Sequence, residues 1–131
     1  MKILACGDRD WGDHNLIHET LAKFGQDTIL VVGGARGADT IAENCGHELG
    51  FTVLVFPANW DQFGKRAGPI RNRQMLNEKP DLVIAFHDDL QASKGTKDTV
   101  TEAHKRNIKV QVVTHGGSRI GFIADTSQTF F

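Results

Sequence analysis

Three features that would point to a particular class of protein are missing from this sequence. Lysine and arginine number 15 against 16 aspartates and glutamates, so there is no overall basic charge of the kind that attracts nucleic acid. No apolar run approaches the ~18 residues that span a membrane. The N-terminal segment also becomes acidic too early for a signal peptide. We therefore expect a cytoplasmic protein without a membrane partner.

Cysteine is scarce as well. Cys6 and Cys45 each lie in an apolar stretch, and they form neither a CxxC pair nor a zinc-binding spacing. This usage predicts two buried, reduced thiols. His14 and His18 are four residues apart on a predicted helix, but the sequence shows no third ligand beside them. The sequence therefore predicts neither a metal site nor a cofactor.

What the 131 residues do contain is a regular alternation of two kinds of segment. Short runs rich in Val, Ile and Leu predict five strands, and the middle three are apolar on successive residues, as strands covered on both faces are. Segments with apolar residues at helical spacing predict the helices between them. The predicted strands are 2–6, 28–32, 52–56, 81–86 and 109–113, and the predicted helices are 14–25, 38–50, 68–78 and 95–107.

This alternation predicts an α/β fold, a three-layer Rossmann-like domain with a five-stranded parallel sheet in the order 3-2-1-4-5. The order reverses between strands 1 and 4, and ligands of such sheets bind beside the carboxyl ends of the strands at that reversal. We expect one domain over residues 1–113. Residues 114–131 then form a C-terminal extension, either an edge hairpin or an arm that contacts another subunit.

The segment GGARG, residues 33–37, lies where a predicted strand becomes a predicted helix. It matches neither the P-loop pattern nor GxGxxG. Backbone N–H groups at a helix N-terminus nevertheless favour an anion. An ordinary glycine-rich turn capped by Asp39 accounts for the same residues, and this segment alone does not decide between the two.

The loop after the first strand is GDRDWGD, residues 7–13. Gly7 permits a tight turn, Arg9 could reach a phosphate or a carboxylate, and Trp11 offers a face for stacking. Alternatively, the arginine pairs with a neighbouring aspartate while Trp11 covers the core. The second interpretation is the simpler one for this loop taken alone.

The other two loops at the same edge carry more charge. Residues 57–75 combine basic and aromatic side chains, which suits a phosphorylated, base-bearing ligand, a salt-bridged surface or a nucleic-acid patch. Residues 87–98 include SKGT at a second helix N-terminus, with carboxylates nearby. Independent turns would not be expected to bring four cations to one edge, so we predict an anionic small-molecule site. These cations are Arg9, Arg36, Arg71 and Lys94.

Taken in order, GGARGADTIA, FPANW, GKRAGPIRNRQML, PDLVIAF and KGTKDTVTEAHKRNIKV resemble the YspA-related branch of the SLOG superfamily. That superfamily groups Rossmann-like domains related to the LOG nucleotide phosphoribohydrolases and the DprA DNA-processing proteins. The resemblance covers residues 2–113 and implies a site for a nucleotide or a nucleotide-derived ligand, and also a homo-oligomer. The loops and the resemblance together assign to the ligand Gly7, Arg9, Trp11, Gly33, Gly34, Ala35, Arg36, Gly37, Asp39, Trp60, Arg71, Asn72, Lys94, Gly95 and Thr96.

Two departures from the LOG signature PGGxGTxxE bear on activity. Ala92 and Ser93 replace the two glycines, and Thr99 stands where the catalytic glutamate would fall. A threonine cannot do the acid–base work of a carboxylate at neutral pH. Binding without cleavage is therefore our first hypothesis.

Two alternatives remain open. One is an N-glycosidic hydrolase acting on nucleoside monophosphates, in which Arg71 holds the phosphate and Asp98 or Glu102 replaces the missing glutamate. The other is DprA-like binding of single-stranded DNA, which the near-neutral net charge disfavours. The DNA would contact Lys65, Arg66, Arg71 and Arg73.

Overall fold

The structure, a computed structural model, describes residues 1–121. Strands and helices alternate along these residues as the sequence predicts. The strands are β1 (Lys2–Gly7), β2 (Ile29–Val32), β3 (Thr52–Val55), β4 (Leu82–Phe86), β5 (Lys109–Thr114) and β6 (Gly117–Gly121). The helices are α1 (His14–Leu21), α2 (Ala38–Glu48), α3 (Trp60–Phe63), α4 (Ala67–Leu76) and α5 (Gly95–Lys105).

These six strands form one sheet in the order β3-β2-β1-β4-β5-β6. The first five are parallel and stand in the order 3-2-1-4-5, so the predicted fold class is confirmed. Strand β6 pairs antiparallel with β5 through a tight turn in which Thr114 faces Gly117. The extension thus begins as an edge hairpin. Residues 122–131 lie outside the described residues, and the subunit contact expected for the extension stays a prediction.

Two apolar layers cover the two faces of the sheet. On one face, side chains of α1 and α2 pack against Ile3, Ile84 and Phe86. On the other face, side chains of α4 and α5 pack against Leu4 and Val83. Burying one such side chain contributes about 1.5–3 kcal/mol. Because alternate residues of β1 and β4 belong to opposite layers, these central strands are apolar at successive positions.

The helices differ from the sequence prediction in two places. Helix α1 ends at Leu21 rather than at Gly25, because the chain turns there and the Phe24 N–H donates to the Leu21 carbonyl oxygen. The loop after β3 contains the one-turn helix α3, which Asn59 caps by accepting a hydrogen bond from the Gln62 N–H. Among the helices of residues 1–121, none is long and apolar enough to cross a membrane.

Candidate functional site

The loops after β1 and β2 pack tightly together where the strand order reverses. A Cβ atom on Gly7 would collide with the Phe86 carbonyl oxygen of the neighbouring strand. Gly37 has a φ of +78°, and a Cβ there would collide with the carbonyl oxygens of Asp8 and Arg9. Only glycine satisfies both the backbone conformation and the space at position 37. These glycines therefore allow close backbone packing at the candidate site.

The loop 33–37 is held in shape by bonds from within the chain. The Ala38 N–H at the start of α2 donates to the Asp8 carbonyl oxygen (3.0 Å). The Ala35 N–H donates to Asp39 Oδ2 (3.2 Å). Both donors lie in the segment that could hold an anion. Asp39 accordingly plays the part that the turn interpretation gave it, since it organises the loop.

Asp39 is also an unusual titrating group. Only 6% of the residue is exposed. Burial raises the pKa of its carboxyl group to about 6, while the Ala35 N–H, the positive charge of Arg71 and the Gly33 N–H act in the opposite direction. The direction of the shift shows that removal from water outweighs these favourable contacts.

Arg71 and Asn72 connect the two glycine-containing loops. Arg71 Nη1 donates to the Gly33 carbonyl oxygen (2.6 Å), and Arg71 Nε donates to Asn72 Oδ1 (3.0 Å). The buried Asn72 amide then donates to the Gly95 carbonyl oxygen (3.3 Å) and to Asp98 Oδ2 (3.0 Å). One chain of hydrogen bonds thus joins the β2 loop, α4 and the N-terminus of α5, and it brings five of the predicted site residues together, the catalytic candidate Asp98 among them.

The N-terminus of α5 has a cap that the sequence did not reveal. Ser93 Oγ accepts a hydrogen bond from the buried Thr96 N–H (3.1 Å). Lys94 and Gly95 are exposed at this end of the helix. Ser93, which stands where a LOG signature has glycine, therefore satisfies one of the amides that such a signature would offer to phosphate.

The two carboxylates considered for catalysis are engaged in ion pairs with one arginine. Arg73 Nη1 lies 3.1 Å from Asp98 Oδ2, and Arg73 Nη2 lies 3.7 Å from Glu102 Oε1. The Asp98 hydrogen bond is the main reason that the pKa of Arg73 is raised. Asp98 and Glu102 are four residues apart on one helix face, so both reach the same arginine of the neighbouring helix. The contact joins α4 to α5.

The two tryptophans lie in different surroundings. Trp11 is 5% exposed, its Nε1 donates to the Asp13 carbonyl oxygen (3.0 Å), and its ring stacks on His115 with centroids 4.5 Å apart. The structure thus places Trp11 in the core, as the turn interpretation had it. Trp60 is 57% exposed on α3, beside Gly68 in the first turn of α4. Trp60 is therefore the tryptophan whose ring is open to a ligand.

The remaining predicted residues lie on the outer surface of the loops. Arg9 and Gly34 are exposed, and Ala35 is half-buried. Arg36 Nη2 pairs with Asp10 Oδ1 (3.2 Å), and both side chains are largely exposed. Exposed ion pairs of this kind contribute about 0–1 kcal/mol. The hydrogen-bond chain through Arg71 does not include these cations.

A histidine that the sequence prediction did not select connects three segments beside Trp11. His115 Nδ1 lies 2.7 Å from Asp88 Oδ2, and His115 Nε2 lies 3.0 Å from Asp13 Oδ2. The hydrogen bond to Asp88 is the largest cause of the raised pKa of His115. No pattern in the sequence marks this contact, because its residues come from three distant loops.

Comparison with known proteins identifies a family and a similar protein. The model described as YAcAr: YspA, cpYpsA-related SLOG family matches residues 1–63, which run from β1 through α3. The chain is 35% identical over 118 residues to the Gene 61 protein of Mycobacterium phage D29, in an alignment that covers 83% of this chain and 93% of that protein. The name of that relative states no ligand and no activity. No solved structure matches the chain.

Proposed function

We propose that this chain, which belongs to the YspA, cpYpsA-related SLOG family, binds a nucleotide or a nucleotide-derived ligand at the carboxyl edge of its sheet. The observation that carries the proposal is the position of Arg71. Its guanidinium group donates to the Gly33 carbonyl oxygen after β2 and is connected through Asn72 to the N-terminus of α5, which follows β4. These contacts span the reversal of strand order between β1 and β4. Open α/β sheets bind their ligands at that reversal.

A phosphate group fits the chemistry of this position. A guanidinium group has five N–H donors, and the bonds to Gly33 and Asn72 use two of the five on Arg71. The others can make charge-assisted hydrogen bonds to phosphate oxygens. The positive end of the α5 dipole at Gly95 favours negative charge in the same region.

The base has a candidate platform in Trp60. This side chain is exposed, and it lies beside the first turn of α4, the helix that carries Arg71. Stacking of a base on an aromatic ring contributes about 1–3 kcal/mol. Trp60 would then add affinity for nucleotides over inorganic phosphate.

The engaged side chains favour binding of a small molecule over the two alternatives. Asp98 and Glu102, the candidates for glycosidic cleavage, are ion-pair partners of Arg73. The same ion pairs occupy Arg73, which the DNA-binding hypothesis requires on the surface. These ion pairs support the small-molecule proposal, since both alternatives use side chains that the pairs already engage.

A thermal unfolding assay with a matched ligand panel tests this function. The panel holds nucleoside monophosphates, ADP-ribose, the parent nucleosides and inorganic phosphate. A ligand at 100 times its dissociation constant stabilises the folded chain by about 2.7 kcal/mol. We expect at least one phosphorylated ligand, and no parent nucleoside, to stabilise the protein.

Two variants and one control variant locate the binding site. Arg71→Gln should abolish the stabilisation, whereas Arg66→Gln, which changes an exposed arginine before α4, should retain it. Trp60→Ala changes an exposed side chain and should reduce the affinity for nucleotides more than the affinity for inorganic phosphate. If no phosphorylated ligand stabilises the chain, the proposal fails. Release of free base in the same samples would establish the hydrolase instead.

A further inference from the structure

His14, Cys45 and Glu48 meet on the outer side of the contact between α1 and α2. His14 begins α1, and the other two residues lie on α2, one turn apart. His14 Nε2 is 3.0 Å from Glu48 Oε1. Together with Cys45 Sγ, these potential ligand atoms all lie within 4.8 Å of one another. None of the three residues belongs to the candidate nucleotide site.

The three groups differ chemically in a way that narrows the choice of ion. An imidazole, a thiolate and a carboxylate are the ligand types that Zn²⁺ accepts. Mg²⁺ and Ca²⁺ take oxygen ligands almost exclusively and would not use the thiol. We propose that His14, Cys45 and Glu48 bind a zinc ion, with water in the fourth position of a tetrahedral site.

The distances are close to those that a zinc site needs. With bonds of about 2.0–2.1 Å to nitrogen and oxygen and about 2.3 Å to sulfur, tetrahedral ligands lie about 3.3 Å (N to O) and about 3.5 Å (S to N or O) apart. The distance from His14 Nε2 to Glu48 Oε1 would lengthen by about 0.3 Å. The distances from Cys45 Sγ to the other two ligand atoms would shorten by at most about 1.3 Å. Small side-chain rotations can produce this change.

The surroundings of the thiol are consistent with this role. Cys45 is buried, while His14 and Glu48 are exposed above it, so an ion can approach from the solvent side. Binding converts the thiol to a thiolate, and its proton passes to the solvent. The ion would neutralise the thiolate and the Glu48 carboxylate, and it would crosslink α1 to α2.

Cobalt binding to the full chain provides the test, because a Co²⁺–thiolate bond has a near-ultraviolet absorption band that nitrogen and oxygen ligands do not give. The reduced, chelator-treated protein is titrated with Co²⁺ and then with Zn²⁺. We expect a saturable band with one ion per chain, and Zn²⁺ should remove it. Zn²⁺ should also raise the unfolding temperature.

The chain offers a matched control for each ligand. Cys45→Ala should abolish the band, whereas Cys6→Ala, which changes the other buried cysteine, should retain it. His14→Gln changes an exposed residue and should weaken Co²⁺ binding at least about tenfold. His47→Gln changes another exposed histidine, on α2, and should leave Co²⁺ binding unchanged. Absence of a saturable band overturns the proposal, and so does a band that survives Cys45→Ala or equal affinity in His14→Gln.

Discussion

Replacing Asp39 by asparagine should remove a pH-dependent loss of stability. The carboxyl group is buried in the folded chain, and burial raises its pKa from 3.8 to about 6. An unfolded chain exposes the same group to water and binds its proton only at lower pH. Above the folded pKa the group is ionised in both states, but ionisation in the folded state is the less favourable one. Asparagine has a similar shape and no charge at any pH.

The size of the effect follows from the difference between the two pKa values. One pKa unit corresponds to about 1.36 kcal/mol, so ionisation of Asp39 lowers the free energy of unfolding by about 3 kcal/mol. The sign is fixed, because an acid with a raised folded pKa contributes stability that is present below its unfolded pKa. That contribution decreases from about pH 4 and is gone above about pH 7.

Urea denaturation of the wild type and Asp39→Asn across this range measures the effect. Subtracting the two curves cancels the other titrating groups, which both proteins share. We expect the stability of the variant relative to the wild type to rise by about 3 kcal/mol between about pH 4 and about pH 7 and then to stay level. Asp27→Asn, which removes a carboxylate from an exposed turn, is the matched control. A flat difference for Asp39→Asn would refute the reasoning.

Two further predictions concern the loops around the site. Gly37→Ala should destabilise the chain by at least about 2 kcal/mol in urea denaturation, because φ is +78° and the new Cβ meets two carbonyl oxygens; Gly12→Ala, with open space around its Cβ, should not. His115→Gln should reduce the unfolding temperature most at pH values above the lowered pKa of Asp88 and below the raised pKa of His115. In this pH range both members of the Asp88–His115 ion pair are charged. The deficit should shrink as pH rises through the pKa of His115 and the imidazolium is lost; an equal deficit at all pH values would contradict this role.

The fold could be predicted from the sequence because its signals are local and redundant. Buried parallel strands are apolar at successive residues, and the helices between them repeat their apolar positions every three to four residues, so five strands and their order follow from the pattern. The sixth strand gives no such signal, since Gly117–Gly121 contains two glycines and no apolar run. It pairs because the tight turn after Thr114 returns the chain to the open edge of β5.

The candidate site could be predicted only in part, because its contacts depend on which side chains the fold brings together. The sequence selects the glycine loops because they follow strand ends, and it selects Arg71 and Asn72 because they lie near the start of the helix after the third strand and match the family motif. It does not show that Asp98 forms an ion pair with Arg73, or that Trp11 stacks on His115, because the two residues of each contact are far apart in sequence. Cys45 and Glu48, the other two residues of the proposed zinc site, lie on a different helix from His14, so the histidine spacing alone could not reveal that site.

Asp39 bears on the choice between a structural turn and an anion site for the loop 33–37. A turn alone requires only an oxygen that accepts the Ala35 N–H, and an asparagine would supply one without the cost of a buried charge. The chain instead carries a carboxyl group whose pKa burial raises to about 6, so its ionisation opposes folding. A group that lowers stability in this way is more readily explained by a function than by turn formation. At the proposed phosphate site, Asp39 would lie close enough to Arg71 to be influenced by its positive charge, and an approaching anion would favour binding of a proton by the carboxylate.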